Sequence, residues 1–250
     1  MLFRSSREFD VKAGLEGDTV VAEYSLASGN IFTVRYTLLE GGILSVESDF
    51  KGVKSSKPVD VPRIGFRMRL PASADSFTYL GRGPEENYAD RFGGTLIGEY
   101  SSSASKEYVR YVRPQECGHH IDCEYLSIGG LAIRSDRFEF NVLRCAVEDL
   151  DSEEAVQRDY QWENKGPLTE NDPAKAKNRL RRQTHINDYV ERDFVEVCVD
   201  YAQSGVGGYD SWAARPDGDR CLWSDRDYSF RFAIVPARAM GVRKSLGFDF

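Results

Sequence analysis

Alternation of hydrophobic and polar residues is the dominant pattern along the chain. In VPRIGFRMRLP, apolar side chains occupy every second position from Ile64 to Leu70, and arginine or glycine fills the positions between them. Seven further segments are candidate strands: DTVVAEYSL, IFTVRYTL, ILSVESDF, KEYVRYV, RFEFNVLRC, DFVEVCVDY and YSFRFAIVP. Short segments of this kind, separated by Gly, Asp and Ser turns, are typical of antiparallel sheets packed as a sandwich. We therefore predict an all-β fold with no long amphipathic helix in the first 140 residues.

The segment from Asp151 to Gln183 departs from this pattern. It is highly charged, has few aliphatic residues and contains two prolines in its second half. Such a composition favours a surface excursion over a part of the sandwich. Because strands of the same type continue on both sides, we predict one β-sandwich domain over 1–250 with a charged surface insertion at about 151–183. A boundary between two domains is the alternative.

Composition and charge narrow the classes of partner. The chain has 250 residues, 41% of them hydrophobic and 12% aromatic, which is enough apolar surface for a sizeable core. The formal net charge is −7, whereas nucleic acid binding needs a concentrated basic face. No apolar run approaches the roughly 20 residues of a membrane span. We expect neither nucleic acid nor a membrane as the partner.

The cysteines and the first residues bear on the compartment. The five cysteines are scattered and odd in number, which predicts reduced, mostly buried thiols. The opening residues MLFRSSREFDVKAG lack the apolar core of a signal peptide. This slightly favours the cytoplasm, with the periplasm as the alternative if the sequence is an excised domain.

The segment CGHHIDC is the candidate metal site. In an extended strand Cys117, His119 and Cys123 share a face. However, six residues at about 3.3 Å each separate the two sulfurs by roughly 20 Å, and a tetrahedral zinc needs all its ligands around one centre. Only a sharp turn at Gly118 would bring them together. We therefore expect ordinary strand and loop residues here, and no metal.

The segment YLGRGPEENYADR is the densest polar cluster. Glycoside cleavage commonly uses two carboxylates, and Glu85 and Glu86 make a sugar-binding loop one interpretation. The other is a structural network, in which Arg82 or Arg91 pairs with a carboxylate to hold a turn; we favour this one. The sequence has no GxSxG elbow and no glycine-rich phosphate loop of the Walker type.

The segment GVGGYDSWAARP predicts an irregular loop that carries Trp212. Its glycines permit backbone angles that other residues resist, and Pro216 cannot extend a central strand. From the residues alone, Trp212 either plugs the end of the core or faces a ligand.

Five segments, which carry four ordered motifs, together resemble the last domain of the large β-galactosidases of glycoside hydrolase family 2. YLGRGPEENYADR is similar to the family's G-x-GP-x-E-x-Y-x-DR hallmark, and YVRPQECG to its YV-x-P-x-E-x-G segment. RFEFNVLRCAVEDL is similar to its F-x-F-N strand with the acidic helix that follows. GVGGYDSW and the later YSFRFAIVP resemble its G-x-GG-x-x-SW loop and final strand. The matches occur in the family's order from about Tyr79 to Pro236.

This resemblance implies a large antiparallel supersandwich related to galactose mutarotase. It implies that the catalytic carboxylates lie on a TIM barrel, elsewhere in a longer chain or in a large subunit, so that no catalytic residue lies in this chain. It also implies no cofactor here and leaves any need for Mg or Na with that barrel.

The resemblance assigns one residue to the active site. In the family the last domain contributes one aromatic side chain, at the position that Trp212 matches, as a platform for the apolar face of a sugar. Its loop would be supported by Gly207, Gly208, Asp210 and Ser211. The expected structural motif comprises the hallmark residues Gly83, Pro84, Glu86, Tyr88, Asp90 and Arg91.

Three functions follow as hypotheses. The leading one is the C-terminal domain or small subunit of a β-galactosidase that hydrolyses terminal β-D-galactosides. This chain would be inactive alone, bind substrate through Trp212 and help to hold an oligomer. The second is a self-sufficient carbohydrate-binding module. The third is a mutarotase-like aldose epimerase, whose acid and base would come from His119, His120 and Glu86.

Overall fold

Thirteen β-strands make up most of the part of the chain that the structure, a computed structural model, describes: residues 9–112, 115–150, 189–210, 212 and 214–237. Short 3-10 turns lie at Glu40–Gly42, Val147–Leu150 and Gly218–Arg220. The strands are β1 (Phe9–Glu16), β2 (Thr19–Leu26), β3 (Ile31–Leu39), β4 (Ile43–Lys51), β5 (Asp60–Val61), β6 (Arg63–Pro71), β7 (Ser76–Gly83), β8 (Leu96–Ser103), β9 (His119–Ile128), β10 (Leu131–Leu143), β11 (Phe194–Gln203), β12 (Leu222–Trp223) and β13 (Tyr228–Pro236).

The main layer has the strand order β1-β2-β3-β4-β13-β10-β9-β7-β8, with antiparallel pairing throughout. The long strand β10 connects it to a second layer. Residues Leu131–Arg134 pair with β13, whereas Glu139–Leu143 pair with β11, which also pairs with β6. The β9–β10 register shifts between Arg134 and Phe138, where β10 changes partner. Such an irregularity lets one strand turn the corner between two packed layers.

Aromatic side chains fill the space between the two layers. The ring centroid of Phe66 on β6 lies 5.2 Å from that of Phe232 on β13 and 6.0 Å from that of Phe32 on β3. Phe138 and Phe140 on β10 are fully buried in the same cluster. Burial of each such ring is worth about 1.5–3 kcal/mol, so this cluster is the main source of the sandwich's stability.

The all-β prediction is confirmed, and seven of the eight candidate strands match strands of the structure. The prediction for KEYVRYV is wrong. The amides of Lys106 and Glu107 both donate to the carbonyl of Ser103, which makes a turn, and Tyr108 packs beside Cys117 instead of alternating in a sheet. The pattern also missed strands β1, β7, β8 and β9.

The predicted insertion at 151–183 lies outside the described residues, and the single domain over 1–250 stays a prediction. Within the ranges that the structure covers, we find no helix with the length and apolar character needed to cross a membrane.

Candidate functional site

The hallmark segment leaves β7 through a tight turn. A cis peptide bond joins Gly83 to Pro84, and a Cβ at Gly83 would lie 2.1 Å from the hydroxyl oxygen of Tyr79, so only glycine fits. The buried side chain of Asn87 then fixes the turn. Its amide donates to the carbonyls of Arg82 and Glu85 at 2.9 Å, and its oxygen accepts the amide of Ile121 on β9.

Glu86 joins the hallmark to the segment YVRPQECG. Its carboxylate accepts hydrogen bonds from the Tyr88 hydroxyl at 3.0 Å, from the Gly118 amide at 2.8 Å and from the Tyr111 hydroxyl. Burial and the Glu86 charge raise the pKa of Tyr88, so its phenol stays a donor. A carboxylate with three donors is a structural acceptor.

The arginines of the hallmark have different partners. Arg82 makes an ion pair with Asp122 on β9 at 2.9 Å and also donates to the carbonyl of Thr95. Arg91 donates to the carbonyl of Gly207 and, among the residues that the structure describes, to no carboxylate. The turn is therefore held by one ion pair, and a second arginine reaches the Trp212 loop.

The segment RFEFNV contributes a buried amide that the sequence analysis did not single out. The Asn141 side chain donates to the Cys117 carbonyl at 2.7 Å and accepts from Arg63 at 2.6 Å and from His119 Nδ1 at 2.8 Å. Arg63 also pairs with Asp200 at 2.5 Å and Glu116 at 2.7 Å. An asparagine between the apolar residues Phe140 and Val142 is the available signal, because buried amides need fixed partners.

The two histidines are wholly buried and point to opposite sides of β9. His119 Nε2 faces Glu139 Oε2 at 3.0 Å. Burial alone would lower the pKa of His119, but the hydrogen bond and charge of Glu139 raise it above its ordinary value. His120 Nε2 faces Glu107 at 2.8 Å, and its Nδ1 faces the Arg82 carbonyl at 3.1 Å. Neither imidazole reaches solvent, so this geometry does not favour the epimerase hypothesis.

The cysteines of CGHHIDC are also buried, and burial raises the pKa of Cys117 to about 12. In the described ranges no three His, Cys, Asp or Glu side chains are grouped as metal ligands. These thiols act as small apolar groups, since a metal ligand would have to be a thiolate.

The glycine loop after β11 packs directly on the hallmark. Asp90 accepts hydrogen bonds from the amides of Val206 at 3.0 Å and Gly207 at 2.8 Å, and from the Tyr209 hydroxyl at 3.1 Å. Gly207 and Gly208 have φ values of 63° and 73°, which lie in the region that favours glycine. The predicted glycine requirement of this loop thus has a backbone reason.

Trp212 lies at the tip of this loop and is 89% exposed. Asp210 accepts from the amides of Trp212 at 2.8 Å and Ala214 at 3.2 Å, and the Gly208 amide donates to the Ala214 carbonyl. The indole therefore does not plug the sandwich. Ser211, predicted to support the loop, lies outside the described residues.

Comparison with known proteins gives the chain its family. A family model described as the β-galactosidase small chain matches residues 3–234. Similar proteins include the β-galactosidases of Priestia megaterium (28% identical over 228 residues), Actinobacillus pleuropneumoniae (26% over 231) and Streptococcus thermophilus (28% over 244). The alignments cover 88%, 91% and 92% of this chain but 19%, 19% and 20% of these relatives, so it spans about a fifth of their length. The chain belongs to the β-galactosidase small-chain family.

Proposed function

We propose that this chain is the small-chain part of a β-galactosidase and places Trp212 in an active site whose catalytic residues lie in a larger part of the enzyme. The observation that carries the proposal is the exposed indole on a loop whose backbone is held by Asp90 and Asp210. An indole held in place on such a loop presents a large, rigid aromatic surface that a ligand can cover.

The chemistry of a sugar suits this indole. One face of a galactopyranose is apolar C–H surface, and an indole offers a broad, rigid plane with an N–H at its edge. Such a platform sets the position and affinity of the substrate without moving a proton. Loss of this contact should therefore raise KM more than it lowers kcat.

Three carboxylates near the hallmark and the buried histidines support placing catalysis elsewhere. Glu86 is occupied by three donors, while Glu107 and Glu139 are buried against the histidines. A glycosidase needs one carboxyl group that gives a proton to the leaving oxygen and a second that reaches the anomeric centre. These three carboxylates are instead engaged in hydrogen bonds within the fold.

The same proposal covers partners and cofactors. The larger part would be a family 2 barrel, either continuous with this chain or a separate subunit, and the assembled enzyme an oligomer. Any Mg or Na ion would belong to the barrel, and the sandwich would have the galactose-mutarotase-like arrangement. The small share of the relatives that this chain spans supports a missing catalytic part.

A self-sufficient carbohydrate-binding module is the second candidate, and the exposure of Trp212 favours it too. A single platform without converging polar groups gives weak affinity, because binding must first offset lost translational freedom. Titration of the isolated chain with galactose separates the two. Saturable binding without the larger part favours the module.

The proposal is tested in the enzyme assembled from this chain and the larger part of its own β-galactosidase. The variants are Trp212→Ala, Trp212→Phe and, as a matched control, Leu38→Ala. Leu38 is 67% exposed on β3, which four strands separate from β7 in the sheet. We expect KM for a chromogenic β-galactoside to rise strongly in Trp212→Ala, less in Trp212→Phe and not in Leu38→Ala. Equal KM values in all three would refute the role of the indole.

A further inference from the structure

Asp90 connects the hallmark to the loop that carries Trp212. One carboxylate oxygen accepts the Val206 amide, and the other accepts both the Gly207 amide and the Tyr209 hydroxyl. Two successive backbone N–H groups that converge on one anion form a concave anion-binding arrangement, and the charge strengthens each bond. Here the anion is a side chain of the same protein, so the arrangement fixes one segment to another.

Arg91 and close packing complete this connection. Arg91 donates to the Gly207 carbonyl, so adjacent hallmark residues hold both the amide and the carbonyl of one glycine. A Cβ at Gly205 would lie 2.7 Å from Cγ of Asp90, and a Cβ at Gly207 would lie 2.5 Å from the carbonyl oxygen of Ala214. The start and the end of the loop therefore meet directly above Asp90.

Beyond this base, Asp210 and not Asp90 holds the backbone at the indole. Asp210 accepts the amides of Trp212 and Ala214, and the Gly208 amide bonds the Ala214 carbonyl. The direction of the indole is thus set in two steps, first by Asp90 at the base and then by Asp210 at the tip. Because the Asp90 contacts hold the start of the loop, their loss should also increase the mobility of the backbone at Trp212.

We propose that Asp90, assisted by Arg91, is a positioning residue that fixes the Trp212 loop in its ligand-facing conformation. Its consequence for activity rests on the function proposed above, whereas its consequence for the loop does not. In this proposal the hallmark holds the Trp212 loop in place and takes no part in proton transfer.

Hydrogen exchange tests the loop in the isolated chain, independently of activity. Asp90→Asn keeps the size of the side chain but turns an NH2 group toward donors of the loop. The control is Asp136→Asn, an exposed aspartate on β10 whose removal changes the net charge equally. The Asn side chain can accept through only one of its two terminal atoms, and Asp90 binds the Val206 and Gly207 amides through different oxygens. We therefore expect at least one of these two amides to exchange at least about tenfold faster in Asp90→Asn.

The decisive amides are those of Trp212 and Ala214, which Asp90 does not touch. They should also exchange faster in Asp90→Asn, while β13 amides keep their wild-type rates and thereby exclude global unfolding. Unchanged exchange at Trp212 and Ala214 would overturn the proposal, because the base would then not control the tip.

Kinetics in the assembled enzyme separate this inference from the proposed function. Asp90→Asn should raise KM for a β-galactoside, up to the increase that Trp212→Ala produces, and the double variant should add little to Trp212→Ala. A large effect of Trp212→Ala with none from Asp90→Asn would overturn the positioning role alone. If Trp212→Ala has no effect, the proposed function fails, and the exchange rates alone decide whether Asp90 holds the loop.

Discussion

The exposure of Trp212 leads to a quantitative prediction for stability. A core aromatic buries about 150–250 Å² of surface. Trp212 is 89% exposed, so its buried area is only about 30 Å². At about 25 cal/mol per Å², this burial contributes less than about 1 kcal/mol to folding. We therefore expect Trp212→Ala to lower the free energy of unfolding by less than about 1 kcal/mol.

Phe232→Ala supplies the contrast for this measurement. Phe232 is 1% exposed and packs against Phe66 and Phe230 in the core. Truncation of a buried phenylalanine typically costs about 3–5 kcal/mol, because a cavity remains. Urea unfolding followed by far-ultraviolet circular dichroism measures both variants without relying on tryptophan emission. In thermal unfolding, Trp212→Ala should lower Tm by no more than about 3 °C.

A loss of several kilocalories in Trp212→Ala would refute this reasoning. It would mean that the indole packs in the core of the folded protein, and the ligand-facing role would lose its main support. A small loss together with a large rise in KM in the assembled enzyme would place the contribution of Trp212 in binding and not in folding.

Three further predictions follow from the buried polar groups. Glu86→Gln should destabilise the chain by about 2 kcal/mol in urea unfolding, since three donors lose a charged acceptor, whereas Glu85→Gln, at an exposed position, should stay within about 0.5 kcal/mol. Burial raises the pKa of Asp200 from 3.8 to about 6 despite its pairing with Arg63, so the native state binds the extra proton. The contribution of Asp200 to stability should therefore fall as pH rises between these values, so Asp200→Asn should gain stability relative to the wild type as pH rises; parallel pH profiles of the free energy of unfolding contradict the assignment. Among the five cysteines only Cys221 is not buried, so a thiol reagent should modify one thiol of the native chain quickly and five after denaturation.

The strands were the most predictable part of the fold, because a two-residue period reports directly which face of a strand is apolar. The alternation does not indicate which residues cover the polar face of a strand. Arg63 shares a face of β6 with Arg67 and Arg69, and the alternation does not distinguish the three arginines. The structure leaves Arg67 and Arg69 exposed beside Glu196, whereas only 16% of the Arg63 side chain is exposed.

The cause is the irregular chain that crosses this end of the second layer. Glu116 lies over Arg63, and Cys117 receives the side chain of Asn141 from β10. Such a covering segment has no hydrophobic periodicity, so its local sequence does not predict its position. For the same reason KEYVRYV was misassigned: its Tyr108 packs in the cluster around Cys117, which the alternation of its own residues does not report.

The resemblance to the family identified which residues belong together but not how they act. The partnership of Asp90 with the glycine loop joins positions more than a hundred residues apart, and nothing in either segment alone specifies it. For Trp212 the sequence alone leaves two alternatives, a plug at the end of the core or a side chain that faces a ligand. Its exposure removes the core-plug alternative, and contact with a sugar remains a proposal.

The buried charges have a role that an apolar core would not fulfil. Buried ionic networks rarely add net stability, since desolvation offsets much of their attraction. Here His119 and Arg63 both bond the side-chain oxygen of Asn141, and this residue holds the carbonyl of Cys117. The covering segment is thereby fixed in one register, with its Gly118 amide aimed at the carboxylate of Glu86.

The series of directional hydrogen bonds continues from Glu86 toward the Trp212 loop. Tyr88 bonds Glu86, and its backbone pairs with that of Arg91 on the other side of a tight turn that contains Asp90. Hydrogen bonds have direction, whereas apolar contacts have little, so each step restricts the orientation of the next. A chain of such bonds from β10 to the glycine loop can aim a single indole, and this explains the buried polar residues Asn87 in the hallmark and Asn141 in RFEFNVLRCAVEDL.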